Sequence, residues 1–130
     1  MDIEVFRDYC LSKKGVTESF PFDEQTLVFK VMGKMFVMVP LDRWEQRHEV
    51  IVLKLDPEQA LELRESYEGI IGGFQQGRKP DAKYTRTKHW NTVVNNQDVS
   101  DKLVKEFIDH SYNLVISGFT KKLKKEFENL

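Results

Sequence analysis

Apolar and polar residues alternate most regularly in the stretch 26–39. Leu27, Phe29 and Val31 take turns with Val28, Lys30 and Met32; Gly33-Lys34 follows, and then the run Phe36, Val37, Met38 and Val39. Two runs rich in β-branched and aromatic residues joined by a tight glycine turn predict a hairpin. Upstream, Ile3, Phe6 and Cys10, with their neighbours Val5 and Tyr9, fall on one helical stripe. Asp2 is placed to cap its start and Gly15 to end it with a left-handed residue. A third strand is expected over 50–55, after the polar, charged connection LDRWEQRHE.

Asp56-Pro57-Glu58-Gln59 carries the chemistry of a helix start. The aspartate can accept from first-turn amides, proline suits the first helical position, and glutamine is placed for a capping box. Ala60, Leu61, Arg64 and Tyr67 continue the helix towards Gly69. A short strand or turn is expected over 69–76 and a strand over 90–94, which Asn95-Asn96 breaks. Ser100 then caps a helix bearing Leu103, Val104, Phe107, Ile108, Ser111 and Val115, with Val99 and Val104 spaced as a hydrophobic staple. Gly118 stops or bends that helix, and a basic amphipathic end with Leu123 and Phe127 follows. The order of elements, without repeat or linker, predicts an α+β domain with helices packed on an antiparallel sheet.

Composition agrees with one soluble domain over 1–130. The chain is 40% hydrophobic and 32% charged, and lysines interrupt its longest apolar runs well short of a membrane span. The N-terminal segment MDIEVFRDYC has acids where a secretory signal has bases, so a cytoplasmic location is expected. The single cysteine, Cys10, cannot form an internal disulfide. Net charge is −1 but unevenly spread. Residues 1–70 hold 9 Lys+Arg against 14 Asp+Glu, whereas Arg78, Lys79, Lys83, Arg86 and Lys88 face only Asp81. Lys121, Lys122, Lys124 and Lys125 make a second basic segment. Such focusing can attract anions, although a short charge run is more often a solvated face.

Candidate chemistry is sparse. His48, His89 and His110 have no metal-ligand spacing, so neither metal nor cofactor is expected. Cys10 sits on an apolar stripe and reads as a small buried hydrophobe. Asp109-His110-Ser111 spells a triad in a row, but consecutive helical residues point in different directions, whereas a working triad converges from separate segments. The stretch TRTKHWNTV has two readings. In the first, Trp90, Thr92 and Val94 line one sheet face, Asn91 and Val93 the other, and the cations are a solvated loop. In the second, Lys83, Arg86, Lys88 and His89 grip phosphates while Tyr84 or Trp90 stacks on a base. Residue types alone favour the first.

The segments SFPFDEQTLVFKVMGKMF, LDPEQALELRESYEGII, KHWNTV and LVKEFIDHSYNLVI occur in an order that resembles the MmcQ/YjbR family of small bacterial proteins. The resemblance implies an α-β(3)-α-β(2)-α two-layer fold, like that of type III secretion chaperones in outline, whose strand arrangement is described as a double wing. It implies DNA binding by fold analogy and supplies no catalytic residues. Lys88, His89, Trp90 and Asn91 match one family motif, and Asp109, His110, Ser111 and Tyr112 a second. GGFQQGRKPDAKYTRTK is longer than the family's usual link between its Gly-Ile-Ile and His-Trp signatures, and it carries most of the basic excess. The resulting expectation is a non-enzymatic DNA-binding protein whose contacts come from Arg78, Lys79, Lys83, Arg86, Lys88, His89 and Asn91. The alternative is a protein-binding adaptor using its sheet face or first helix.

Overall fold

The computed structural model describes residues 1–72, 89–95 and 98–130. Helix α1 (Ile3–Leu11) leads into strand β1 (Val16–Ser19) and the hairpin β2 (Thr26–Val31) and β3 (Lys34–Pro40). A single turn of helix, α2 (Leu41–Glu45), precedes β4 (Val50–Lys54). Helix α3 (Pro57–Ser66), β5 (Ile70–Gly72), β6 (Trp90–Val94), α4 (Asp101–Ser117) and α5 (Lys121–Glu128) complete the order. Among the described residues the strands form one six-stranded sheet in the order β1-β2-β3-β4-β6-β5, and every pairing is antiparallel. β6 is inserted between β4 and β5, the two strands that α3 connects. The expected two-layer α+β architecture is present, with α2, α5 and the short edge strand β1 added to it.

The local signals act as anticipated at three helix starts. The side chains of Asp2, Asp56 and Ser100 accept from the amides of Glu4, Gln59 and Leu103, satisfying donors that a helix's first turn leaves open. Val99 and Val104 are both buried, as the staple requires. Boundaries differ in instructive ways. The hairpin turn is Met32-Gly33 rather than Gly33-Lys34: Val31 pairs with Lys34, and both intervening residues have positive φ, 50° and 80°. That is the backbone of a type I′ turn, whose twist matches the strands it joins. Helix α1 stops at Leu11, four residues before Gly15, and Val5 is exposed rather than part of the buried stripe.

One irregularity organises the core. Between Phe29 and Lys30 the β2–β3 register shifts, because Phe29 opposes Val37 and Lys30 opposes Met35. Phe36 is the extra residue of a β-bulge, which lets Phe36 and Val37 both reach the main core instead of opposite faces. That core gathers Phe6, Phe29, Phe36, Ile51, Leu53 and Ile108 between the sheet and the helices. The opposite sheet face carries a smaller cluster of Val28, Met38, Val52 and Trp90.

The direct pairing of β3 with β4 ends at Val37–Leu53, and a side chain of α4 takes up backbone groups just beyond it. The Ser111 hydroxyl, fully buried, donates to the Phe36 carbonyl at 2.6 Å and accepts from the Lys54 amide at 3.0 Å. It joins β3 to β4 where their direct pairing has ended. Its neighbours tie α4 elsewhere. Asp109 accepts from the Tyr9 hydroxyl and pairs with the Lys13 ammonium, both at 2.5 Å, linking to α1. His110 Nε2 accepts from the Asp56 amide at 3.0 Å, so it takes the place that the capping-box pattern assigned to Gln59. The Tyr112 hydroxyl donates to the Lys14 carbonyl at 2.6 Å. The consecutive residues Asp109, His110, Ser111 and Tyr112 thus reach four separate parts of the chain.

Ser111→Ala should strand the Phe36 carbonyl and the Lys54 amide, each costing about 1–3 kcal/mol when left without a partner in the interior. Urea unfolding should show a lower midpoint with unchanged slope; wild-type stability would mean that the hydroxyl bridge contributes nothing. The C-terminal helix presents the opposite case. α5 has no fully buried residue and docks mainly through Phe127, which meets Phe119 edge-on at 5.9 Å. Deleting residues 124–130 should therefore leave a cooperatively folding domain, and loss of a sigmoidal melt would show that the tail belongs to the core.

Candidate nucleic-acid interface

Of the expected contact residues, Arg78, Lys79, Lys83, Arg86 and Lys88 lie outside the described residues, whereas His89 and Asn91 lie within them. His89 precedes β6 directly. Its carbonyl accepts from the Leu55 amide at 2.7 Å and from Asn91 Nδ2 at 3.0 Å, which fixes the start of the strand against the end of β4. Its side chain lines a cleft of about 470 Å³ together with Lys34, Lys54, Leu114, Val115 and Phe119.

Asn91 is placed differently from the expectation of a groove-facing contact. It is 0% exposed, and its Oδ1 accepts from Arg64 Nε at 3.0 Å and from Nη2 at 2.6 Å. The amide holds α3 to the sheet, and a base could reach it only after the Arg64 pair had opened. The charged guanidinium makes this a strong hydrogen-bonded pair. Trp90 points to the other face, where it is 7% exposed among Val28, Met38 and Val52, with the Lys54 ammonium 5.3 Å from the ring centroid. Of the two readings of TRTKHWNTV, the structure supports a core role for Trp90 and Asn91.

The cleft's electrostatics come from two residues that no local sequence signal marks. Lys34 opens β3 and Lys54 closes β4; they are twenty positions apart, and only the pairing of β3 with β4 brings them to one end of the sheet. Burial holds the Lys54 ammonium below the usual lysine range, and the nearby charge of Lys34 adds to the effect. Among the described residues, no carboxylate lines this cleft. An adjoining depression of about 380 Å³ shares Lys34 and Phe119 and extends to Thr120 and Lys122 at the start of α5, with Glu126 on its far side.

Nucleophilic chemistry has less to work with. Asp109, His110 and Ser111 diverge to α1, α3 and the sheet, and the Ser111 hydroxyl is already committed at both ends. Cys10 is buried, and burial pushes its thiol far above the usual range, away from the reactive thiolate. The Tyr9 hydroxyl is pushed up to about 12, by burial first and then by its bond to Asp109.

Trp90→Ala should cost about 3–5 kcal/mol, the range for truncating a buried aromatic. Chemical denaturation checks this directly. Wild-type stability in that variant, with a binding activity abolished, would make Trp90 a ligand-touching residue instead.

Comparison with known proteins places this arrangement in a family. The YjbR family model matches residues 11–114. The chain is 30% identical over 106 residues to "Uncharacterized protein YbdF" of Escherichia coli O157:H7, an alignment covering 82% of this chain and 77% of that one. It is 25% identical over 117 residues to "Uncharacterized protein YjbR" of Escherichia coli strain K12, covering 90% and 89% of the two chains. Among solved structures, the crystal structure of Deinococcus radiodurans protein DR2400, a DUF419 domain, superposes with a TM-score of 0.78 at 32% identity, over 97% of this chain and 87% of that one. A crystal structure of a Pseudomonas syringae protein shares the fold at a TM-score of 0.63 and 24% identity, covering 88% and 98%. The chain belongs to the YjbR family.

Proposed function

We propose that this chain is a non-catalytic DNA-binding protein that grips the phosphate backbone. The observation that carries the reading is the cleft in which Lys34, Lys54 and His89 converge with no carboxylate among the described residues that line it. The Lys54 ammonium is held below the usual lysine range by burial first and by the nearby charge of Lys34 second, so its charged form is disfavoured where it stands. A phosphate seated between the two ammonium groups favours the charged form and releases counterions from the nucleic acid. His89, which lines the cleft, follows Lys88 directly in sequence. Phosphate contacts of this kind position a protein on DNA and carry no base information. The inward placement of Asn91 fits a binder that does not discriminate strongly between sequences.

The non-catalytic part of the proposal rests on the Asp109–Ser111 stretch and Cys10. Their reactive atoms serve packing and backbone satisfaction, so these four residues do not assemble a nucleophile with its base. A cytoplasmic location suits this role; no helix among the described residues is long and apolar enough to cross a membrane.

The test is a fluorescence-anisotropy titration with short duplex and single-stranded DNA at two salt concentrations. Lys34→Glu combined with Lys54→Gln should weaken binding to every duplex alike. The slope of log affinity against log salt should flatten by about 0.9 for each phosphate that is no longer neutralised. Reversing Lys79, Lys83, Arg86 and Lys88 to glutamate should act in the same way. Absence of wild-type affinity at low salt would end the DNA reading, and an unchanged slope in the Lys34/Lys54 variant would remove the cleft from it.

A further inference from the structure

A second surface has the opposite chemistry and shares no residue with the cleft. Helix α1, the end of β1 and helix α2 enclose a groove of about 720 Å³, within the size range of ligand-binding pockets. Its floor is apolar: Ile3, Leu27, Leu41 and Trp44, with Phe20 on one wall. Trp44 is fixed in place, with its ring 5.3 Å from that of Phe6 and its indole nitrogen donating to the Val50 carbonyl. Phe20 is 49% exposed and Phe22, two residues on, 62%. The apolar surface therefore runs out of the groove along the chain that follows β1. Large exposed apolar patches rimmed by polar groups mark interaction sites more often than idle surface.

The rim decides the kind of partner. Asp2, Glu4, Glu18, Glu45 and Glu49 border the groove against one guanidinium, Arg7, which is already engaged by Glu4 and Glu18. Glu49 meets the amino group of Met1. Glu45 is exposed, and the groove as a whole presents a negative margin around an apolar floor. β1 adds a backbone feature. It is an edge strand that pairs only with β2 among the described residues, so its outer side can take up another strand. An extended peptide laid on such an edge gains main-chain hydrogen bonds and sends alternate side chains to one face.

We propose that this groove and the β1 edge bind an extended segment of another protein, one with alternating apolar side chains flanked by lysine or arginine. The apolar side chains fill the floor beside Trp44 and Phe20, and the flanking cations meet the acidic rim. This surface does not depend on the DNA reading; it gives the chain a second, protein-directed activity on a different face. A small apolar molecule would occupy the floor but would use neither the edge strand nor the apolar extension through Phe22.

The probe is a pair of short fluorescein-labelled peptides with one core in which valine or leucine alternates with serine, flanked in one by lysines and in the other by glutamates. Anisotropy should show the lysine peptide binding about tenfold or more tightly than its counterpart. Amide NMR spectra of the labelled protein should shift at Thr17, Glu18, Ser19, Phe20 and Glu45, and β1 amides should exchange more slowly in the complex. Phe20→Asp should weaken the lysine peptide by about tenfold or more, as expected when one phenyl ring is removed from an apolar interface. It should leave the affinity for duplex DNA unchanged. Glu45→Lys, at an exposed position where folding is not at risk, should narrow the difference between the two peptides. Equal affinity for the two peptides, no binding of either, or shifts confined to the Lys34–Lys54 cleft would each overturn the proposal. A wild-type dimer that Phe20→Asp dissociates would also overturn it, by assigning the groove to a second copy of the chain.

Discussion

The fold depends on the hydroxyl of Ser111. The bulge at Phe36, in the β2–β3 pairing, brings two successive side chains into the main core, and the β3–β4 ladder runs no further than Val37–Leu53. Interior carbonyls and amides cannot be left unpaired without a cost comparable to a missing hydrogen bond. Ser111 resolves this with one side chain that donates to one strand and accepts from the other. Because it projects from α4, the repair also fixes that helix on the sheet. Asp109, His110 and Tyr112 then fasten α1, the start of α3 and the turn before β1 to the same point. Leu114, Val115 and Phe119, which follow the fastened stretch, form the wall of the cationic cleft. The structural tie and the candidate binding site are consecutive parts of one segment.

Strong local signals were legible in the sequence, and signals that depend on distant partners were not. The twofold alternation of 26–39, the Asp56-Pro57 start and the Ser100 cap with its Val99 staple each lie within a few residues, and each formed as expected. The bulge could not be read, because it is a relation between two strands. The placement of Met32 in a left-handed turn ran against its steric preference, and pairing of the flanking strands overrode that preference. Strand β1 is only four residues long and the helix α2 only five, too short to show a period. Asn91 looked available because its partner, Arg64, lies 27 residues away on a helix whose docking face is weakly patterned. The convergence of Lys34 and Lys54 was hidden for the same reason. Conversely, Asp109-His110-Ser111 was correctly denied a triad, since helical geometry alone separates consecutive side chains.

The charge distribution gives the molecule two faces of different character. Around the α1–α2 groove, carboxylates outnumber cations; at the Lys34–Lys54 end, none of the described residues lining the cleft is a carboxylate. A chain of net charge −1 would meet a polyanion through focused cations, and among the described residues the fold gathers Lys34 and Lys54 at the sheet end where β6 begins. Membership of the YjbR family accounts for the scaffold and the motifs that build it. Function has to be argued from the sites, because folds do not fix functions.

Whether the cleft receives phosphate can be read from an amide and histidine side-chain NMR map of the isotopically labelled protein during titration with duplex DNA. Signals of Lys34, Lys54 and His89 should move together, while those of His110, Ser111 and the Arg64–Asn91 pair stay fixed. Largest changes at the α1–α2 groove, or movement of His110 and Ser111 with DNA, would contradict a phosphate-gripping cleft on a rigid scaffold.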